Sequence, residues 1–243
     1  MSSLLRKLSN LSTKSKNSSQ ASTSSNPTPA PAMAAPKPKI AVIVFSLYGH
    51  IAKLGEAAVE GAKAQGAEVT HYQFPETLSD EVLAKMHANK APIKDLPVIT
   101  PDELKKHDGF ILGFPTRYGR APAQVSAFFD QTGGLWASGA LVGKFATTFT
   151  STASQHGGLE TTHLTTIPYF AHQGIIYVPI GYRQFKEQTE LGEIVGSSPY
   201  GAGTVAAGDG SRQPTEIDLK VAKNQGETFA QIVGTYVKGA AAA

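Results

Sequence analysis

Ile40-Ala41-Val42-Ile43-Val44-Phe45-Ser46-Leu47-Tyr48-Gly49-His50 decides the fold of this chain. Six apolar, mostly β-branched residues make a short buried strand over 40–45. They run straight into a small-polar turn, and from Ile51 the pattern becomes helical. A strand, a tight loop and a helix start form an anion site, because the first backbone N–H groups of a helix lack partners and its dipole favours negative charge there. Ser46 adds a hydroxyl donor, and Gly49 allows close backbone approach. The segment Ser46-Leu47-Tyr48-Gly49-His50-Ile51 is therefore a candidate phosphate loop. It carries no Lys or Arg, so it is not the G-x-x-x-x-G-K-[ST] loop of a nucleotide triphosphatase. Amides and hydroxyls alone suit a single terminal phosphate.

Outward from this stretch the chain alternates strand and helix. Strands are predicted at 40–45, 67–74, 108–114, 145–150 and 175–179, and helices at 51–65, 101–107, 122–131, 160–173 and 215–237. The last helix has a start signal in Pro214-Thr215, with Asp218 three residues on. The pattern predicts an α/β protein with a doubly wound, five-stranded parallel sheet in the order 2-1-3-4-5 and helices on both faces. Ligands of such sheets sit beyond the carboxyl ends of the strands, so the loops 46–50, 115–119 and 151–158 are the ones to watch. Two insertions, 75–100 and 180–213, exceed what crossovers need; long ordered loops build sites or subunit contacts.

The 243 residues accommodate one sizeable α/β domain and a tail. There is no cysteine, which excludes disulfides, thiolate catalysis and cysteine-ligated metal or iron–sulfur sites and fits a reducing, cytoplasmic setting. The net charge of +3 misleads, because six of the 22 basic residues lie at or before Lys39 and no acidic residue precedes Glu56. The remainder holds 16 basic against 19 acidic residues and gives no electrostatic case for binding nucleic acid. Residues 1–38 are Ser-, Pro- and Ala-rich and read as a disordered basic tail before a domain at 39–239. Leu4, Leu5, Leu8 and Leu11 share a helical face beside Arg6 and Lys7. Residues 1–16 are thus either a featureless tail or a segment that touches an anionic membrane or serves in targeting.

The third strand ends in Pro115-Thr116-Arg117-Tyr118-Gly119, where amides and the Thr116 hydroxyl can meet a polar ring edge and Tyr118 offers a flat face for stacking. The fourth ends in Ser151-Thr152-Ala153-Ser154-Gln155-His156-Gly157-Gly158, a hydroxyl-rich loop. Either alone is also what an ordinary surface turn looks like. Together the three loops supply backbone donors and no carboxylate pair or metal cluster, which favours a bound cofactor over direct side-chain catalysis.

From Lys39 to Lys238 the chain resembles the WrbA-type NAD(P)H:quinone oxidoreductases, flavodoxin-like FMN proteins. The resemblance rests on the first two loops above and on Asp130-Gln131-Thr132-Gly133-Gly134-Leu135-Trp136-Ala137-Ser138-Gly139-Ala140. It rests also on Val178-Pro179-Ile180-Gly181-Tyr182, Ser198-Pro199-Tyr200-Gly201-Ala202 and Gly208-Asp209-Gly210-Ser211-Arg212-Gln213-Pro214. It implies tightly bound FMN, with Ser46 to Ile51 at the phosphate and Pro115 to Tyr118 and Ser151 to His156 at the ring and ribityl chain. It also implies Tyr48 facing the nicotinamide, Trp136 as a quinone-side wall and His172 as a flavin-site histidine. As read from the residues alone, Tyr48 could instead cover the first helix, Trp136 could be core and His172 could cap a helix end. Asp209 and Arg212 read as a pocket-rim, interface or plain surface pair. In the 151–158 loop the chain departs from the more Gly-rich family pattern. The resemblance further implies a homotetramer that passes two electrons from NADH or NADPH to a quinone by a ping-pong route, leaving a hydroquinone. A near-neutral body stands against a one-electron flavodoxin carrier, which is strongly acidic. A membrane-associated scaffold or stress protein that keeps flavin for stability would carry the same loops.

Overall fold

The computed structural model describes residues 36–242 of the chain. The tail reading and its membrane alternative lie outside these residues, although the body reaches back to Pro38, which is buried and whose carbonyl accepts from the Glu68 amide. Six strands are present among the described residues: β1 (Lys39–Val44), β2 (Glu68–Gln73), β3 (Gly109–Pro115), β4 (Phe145–Thr152), β5 (Ile176–Tyr177) and β6 (Gly203–Val205). All pairs are parallel, and the order is β2-β1-β3-β4-β5, with β6 also on β4. This is the expected doubly wound order. The helices are α1 (His50–Ala64), α2 (Asp80–Lys85), α3 (Pro101–Leu104), α4 (Ala123–Asp130), α5 (Gly133–Ser138), α6 (Thr161–Leu164), α7 (Ile167–Gln173), α8 (Phe185–Gln188) and α9 (Glu216–Ala242), with a 3₁₀ turn at Ala91–Ile93.

The two-residue period of β1 divides the core. Ile40, Val42 and Val44 face one hydrophobic cluster with Ile51, Leu54, Phe149 and Phe229. Ala41, Ile43 and Phe45 face the other with Phe74, Phe114, Phe128 and Phe170. Both faces of the strand are dry, as a parallel sheet covered on both sides requires. On the first face α1 lies against α9. A Cβ on Gly61 would run into the Lys223 carbonyl, and one on Gly226 into the Ala58 carbonyl. The two helices therefore approach backbone to backbone.

Three expectations need correction. First, the fifth sheet position is shared by two strands. Only Ile176–Tyr177 pairs with the start of β4 (Phe145–Ala146), whereas Gly203–Val205 pairs with its end (Thr150–Thr152). Pro179 has no N–H for the ladder, so the chain leaves the sheet near there and returns some twenty residues later. Second, the helix expected over 160–173 is two. Pro168 in the first turn of α7 cannot donate backward, and the Thr165 and Thr166 hydroxyls bond to the Thr161 and Thr162 carbonyls, so the first helix stops and a new one starts. Third, β4 runs to Thr152, which puts Ser151 and Thr152 in the strand and not in the loop after it.

Candidate functional site

The site grows from the end of β1. Gly49 takes the left-handed conformation (φ 89°), which turns the chain into α1 without a side-chain cap. Ser46 does the local capping: its buried hydroxyl oxygen accepts from the Gly49 amide at 3.2 Å and the Ala52 amide at 3.3 Å. That organises the loop and leaves the Ser46 proton free to be donated. Among the described residues the amides of Tyr48, His50 and Ile51 meet no acceptor in the chain, as expected at a helix start.

This loop opens into a cavity of about 740 Å³, within the size range of small-molecule sites. Three groups of expected residues meet there: Tyr48 and His50 from the phosphate loop, Pro115, Thr116 and Arg117 after β3, and Ser151, Thr152, Ala153 and Ser154 at the end of β4. The last two groups are tied together. The Thr116 amide donates to the Ser151 carbonyl at 2.9 Å, and the Thr116 hydroxyl oxygen accepts from the Gly119 amide and the Thr162 hydroxyl. Its own proton stays available.

Two further walls come from the insertions. Met86, His87 and Asn89 line one side, and Ala206 to Gly210 the other. Of these, the sequence marks Gly208, Asp209 and Gly210 through the segment Gly208–Pro214, and only Asp209 as a pocket-rim candidate. The excess length of 75–100 and 180–213 was the available signal. The first wall is fastened to the phosphate loop, since the Asn89 amide donates to the Leu47 carbonyl at 2.7 Å and the Tyr48 hydroxyl to the Met86 carbonyl at 3.2 Å. The three non-glycine residues with positive φ among the described residues are His87, Tyr118 and Ala207. Two line the cavity and the third follows Arg117, a clustering of backbone strain that marks functional sites.

Other expected residues stand elsewhere. Leu47 and Ile51 are core residues, turned inward while Tyr48 and His50 face the cavity; Ser46 and Gly49 are off its lining. Tyr118 does not line the cavity: its left-handed backbone (φ 55°) throws the ring fully into solvent. Gln155 and His156 lie in an exposed turn beyond the lining. Trp136 is on the helix α5, not in a loop, and is 61% exposed; His172 is exposed near the end of α7. Both elements lead into the amino ends of β4 and β5, at the sheet edge opposite the cavity. Asp209 and Arg212 are not a pair. Asp209 accepts from the Ser211 amide and hydroxyl, which hold its carboxyl below the usual range, while Arg212 bonds to the buried Asp218.

The model of the NADPH-dependent FMN reductase family matches residues 38–190, the part of the chain that holds all of the cavity lining except Ala206–Gly210. The chain belongs to that family. It is 51% identical over 195 residues to NAD(P)H quinone oxidoreductase PST3 of Candida albicans, covering 80% of this chain and 97% of that protein. It is 53% identical over 194 residues to quinone-oxidoreductase QR2 of Triphysaria versicolor, covering 79% and 94%. Among solved structures, a WrbA-like flavodoxin from Agrobacterium tumefaciens superposes with a TM-score of 0.51 at 21% identity, over 81% of this chain and 98% of that one, which supports the fold.

The cavity suits the cofactor in the family's name. The acceptor-free amides of Tyr48, His50 and Ile51 with the Ser46 hydroxyl match one phosphate. The hydroxyls of Thr116, Ser151 and Ser154 match a ribityl chain and a polar ring edge. Among the described residues no helix is long and apolar enough to cross a membrane, and no cluster of three metal-ligating side chains occurs.

Proposed function

We propose that this FMN reductase family member is an FMN-dependent NAD(P)H:quinone oxidoreductase. The observation that carries the reading is the amide-and-hydroxyl cradle at the start of α1, opening into a cavity of about 740 Å³, in a chain half identical to quinone oxidoreductases. FMN, when bound, supplies the two-electron chemistry between a nicotinamide and a quinone. The chain's own work is to bind and orient. Ser46 and the α1 amides hold the phosphate. Thr116, Ser151 and Ser154 fix the polar edge. Tyr48, pinned by its hydroxyl to Met86, gives a flat wall at the open side. No dinucleotide-binding motif occurs in the sequence: Gly201-Ala202-Gly203 lacks the G-x-G-x-x-G spacing. Nicotinamide and quinone therefore take the same open space in turn, which predicts ping-pong kinetics and a hydroquinone product.

Trp136 and His172 are proposed to act at the site of a neighbouring copy, because both are exposed and neither lines the cavity of its own chain. That is the argument for self-association, with a homotetramer as the expected form.

The purified protein should be yellow and release FMN on denaturation. With NADH or NADPH as donor and benzoquinone as acceptor, double-reciprocal plots should be parallel. Stoichiometric FAD in the released fraction, or intersecting lines, would count against the reading. A protein that retains FMN but turns over no quinone would be an electron carrier or a scaffold.

A further inference from the structure

The segment 206–213 is held at its ends by the Ala206 amide on the Thr152 carbonyl at 2.7 Å and by Lys53 Nζ on Gln213 Oε1 at 2.9 Å, and between them by a buried carboxylate and Arg212. Asp218, in the first turn of α9, is wholly buried. Its carboxylate accepts from the Thr204 hydroxyl at 2.7 Å, the Thr215 amide at 3.2 Å and the Gly196 amide at 3.3 Å, and pairs with Arg212 Nη1 at 3.2 Å. A buried carboxylate is costly unless its lone pairs are filled, and here four donors fill them. The Arg212 fork then reaches two carbonyls, Val205 at 2.7 Å and Ile194 at 2.7 Å. Its backbone takes part as well. The Arg212 amide donates to the Ala206 carbonyl at 3.0 Å, closing the turn that forms the cavity wall. The Arg212 carbonyl accepts from His50 Nε2 at 2.9 Å, at the first residue of α1.

One residue thus joins the split-strand insertion, the end of β6, the wall Ala206–Gly210, the start of α9 and the phosphate-loop helix. The wall needs such a restraint, because Ala207 sits at φ 66°, a conformation that a residue with a Cβ leaves when it is free to do so. The phosphate loop does not need it, since Ser46 holds that loop from within.

We propose that Arg212, clamped by Asp218, is a positioning residue for the second ligand of the cavity: it fixes the wall Ala206–Gly210 relative to His50 and so sets how well the nicotinamide nucleotide and the quinone are held. The proposal rests on the oxidoreductase reading above. It separates the two ligands of the cavity. The flavin phosphate depends on the Ser46 loop, and the transient substrates depend on the wall. A lysine cannot replace the clamp, because one ammonium cannot fork to Asp218, Val205 and Ile194 together.

The test compares wild-type holoenzyme with Arg212→Lys and with Thr204→Val, a near-equal-volume change that removes one donor from Asp218 and keeps the ion pair. KM for NADH and for benzoquinone, kcat per bound flavin, the FMN dissociation constant and the melting temperature are measured together. Arg212→Lys should raise both KM values on the order of tenfold and Thr204→Val about two- to threefold, with kcat per flavin and FMN affinity within about twofold of wild type. Unchanged KM values in both variants, or KM values that rise only in step with FMN loss, would overturn the proposal. An inactive wild type would fail the underlying reading and the proposal with it, whereas an active wild type with unaltered variants would fail the proposal alone.

Discussion

His163 Nδ1 lies 2.6 Å from the Thr148 hydroxyl oxygen, with the imidazole almost wholly buried beneath the sheet edge that bears the cavity. Burial lowers its pKa from the usual 6.5 to about 3, so the ring is neutral in the folded protein. His71 is lowered to about 4, mainly by burial and further by Lys63. In the unfolded chain both return to about 6.5. Between these limits the unfolded state binds more protons. The stability they contribute is complete above pH 6.5 and falls as the pH drops toward 3–4.

Urea denaturation at pH 7.5 and pH 5 should therefore show a loss of up to about 2 kcal/mol for His163 at the lower pH. In His163→Gln, which keeps a polar partner for Thr148 and does not titrate, that share of the pH dependence should vanish. An equal slope in the two proteins would contradict the assignment.

The Ser46 hydroxyl shapes the phosphate loop by accepting two amides. Ser46→Ala should leave the fold intact and weaken FMN binding by about 1–2 kcal/mol, the scale of a lost helix cap. Fluorescence titration of the apoprotein with FMN reads this directly.

Gly61 and Gly226 set the closeness of α1 and α9. Gly226→Ala should destabilise the protein by about 1–3 kcal/mol through overpacking, despite the better helix propensity of alanine. Because α1 begins at the phosphate loop, the same change should speed FMN release. A melting temperature at or above wild type would show that the helices can part at no cost.

Trp136→Ala should lower quinone kcat/KM about tenfold and leave FMN affinity within about twofold. Since Trp136 stands outside its own cavity, activity should be partly restored in mixed oligomers with a chain whose phosphate loop is disabled by Ser46→Asp. Restored activity requires a Trp136 from one chain at the site of another. If FMN affinity collapses and turnover per flavin stays unchanged, the assigned role is wrong.

Local physics made part of this legible. Ile40 to Phe45 are apolar without interruption, and Ser46 and Gly49 stop the strand by chemistry readable in one dimension. The loops after Phe114 and Thr150 follow because parallel strands present their carboxyl ends on one side. The split of the fifth position was not legible. Pairing of Gly203–Val205 with Thr150–Thr152 is a long-range choice, and three residues carry no period of their own. Arg212 looked like a partner for Asp209 because they are near in sequence, yet Ser211 captures Asp209 and leaves the guanidinium to a carboxylate one helix start away. The roles proposed for Trp136 and His172 call on a second copy of the chain, and within one chain both side chains are exposed and off the cavity lining.

The divided fifth position also bears on how the protein behaves at high concentration. A long bare edge strand is a template on which another chain can add itself. Here the outer lane offers two residues at Ile176–Tyr177, then a departure beyond Val178 and Pro179, then three at Gly203–Val205. An intruding strand would find no continuous register longer than those three residues, so the detour that builds a cavity wall also protects this edge of the sheet, opposite the β2 edge, against edge-to-edge aggregation.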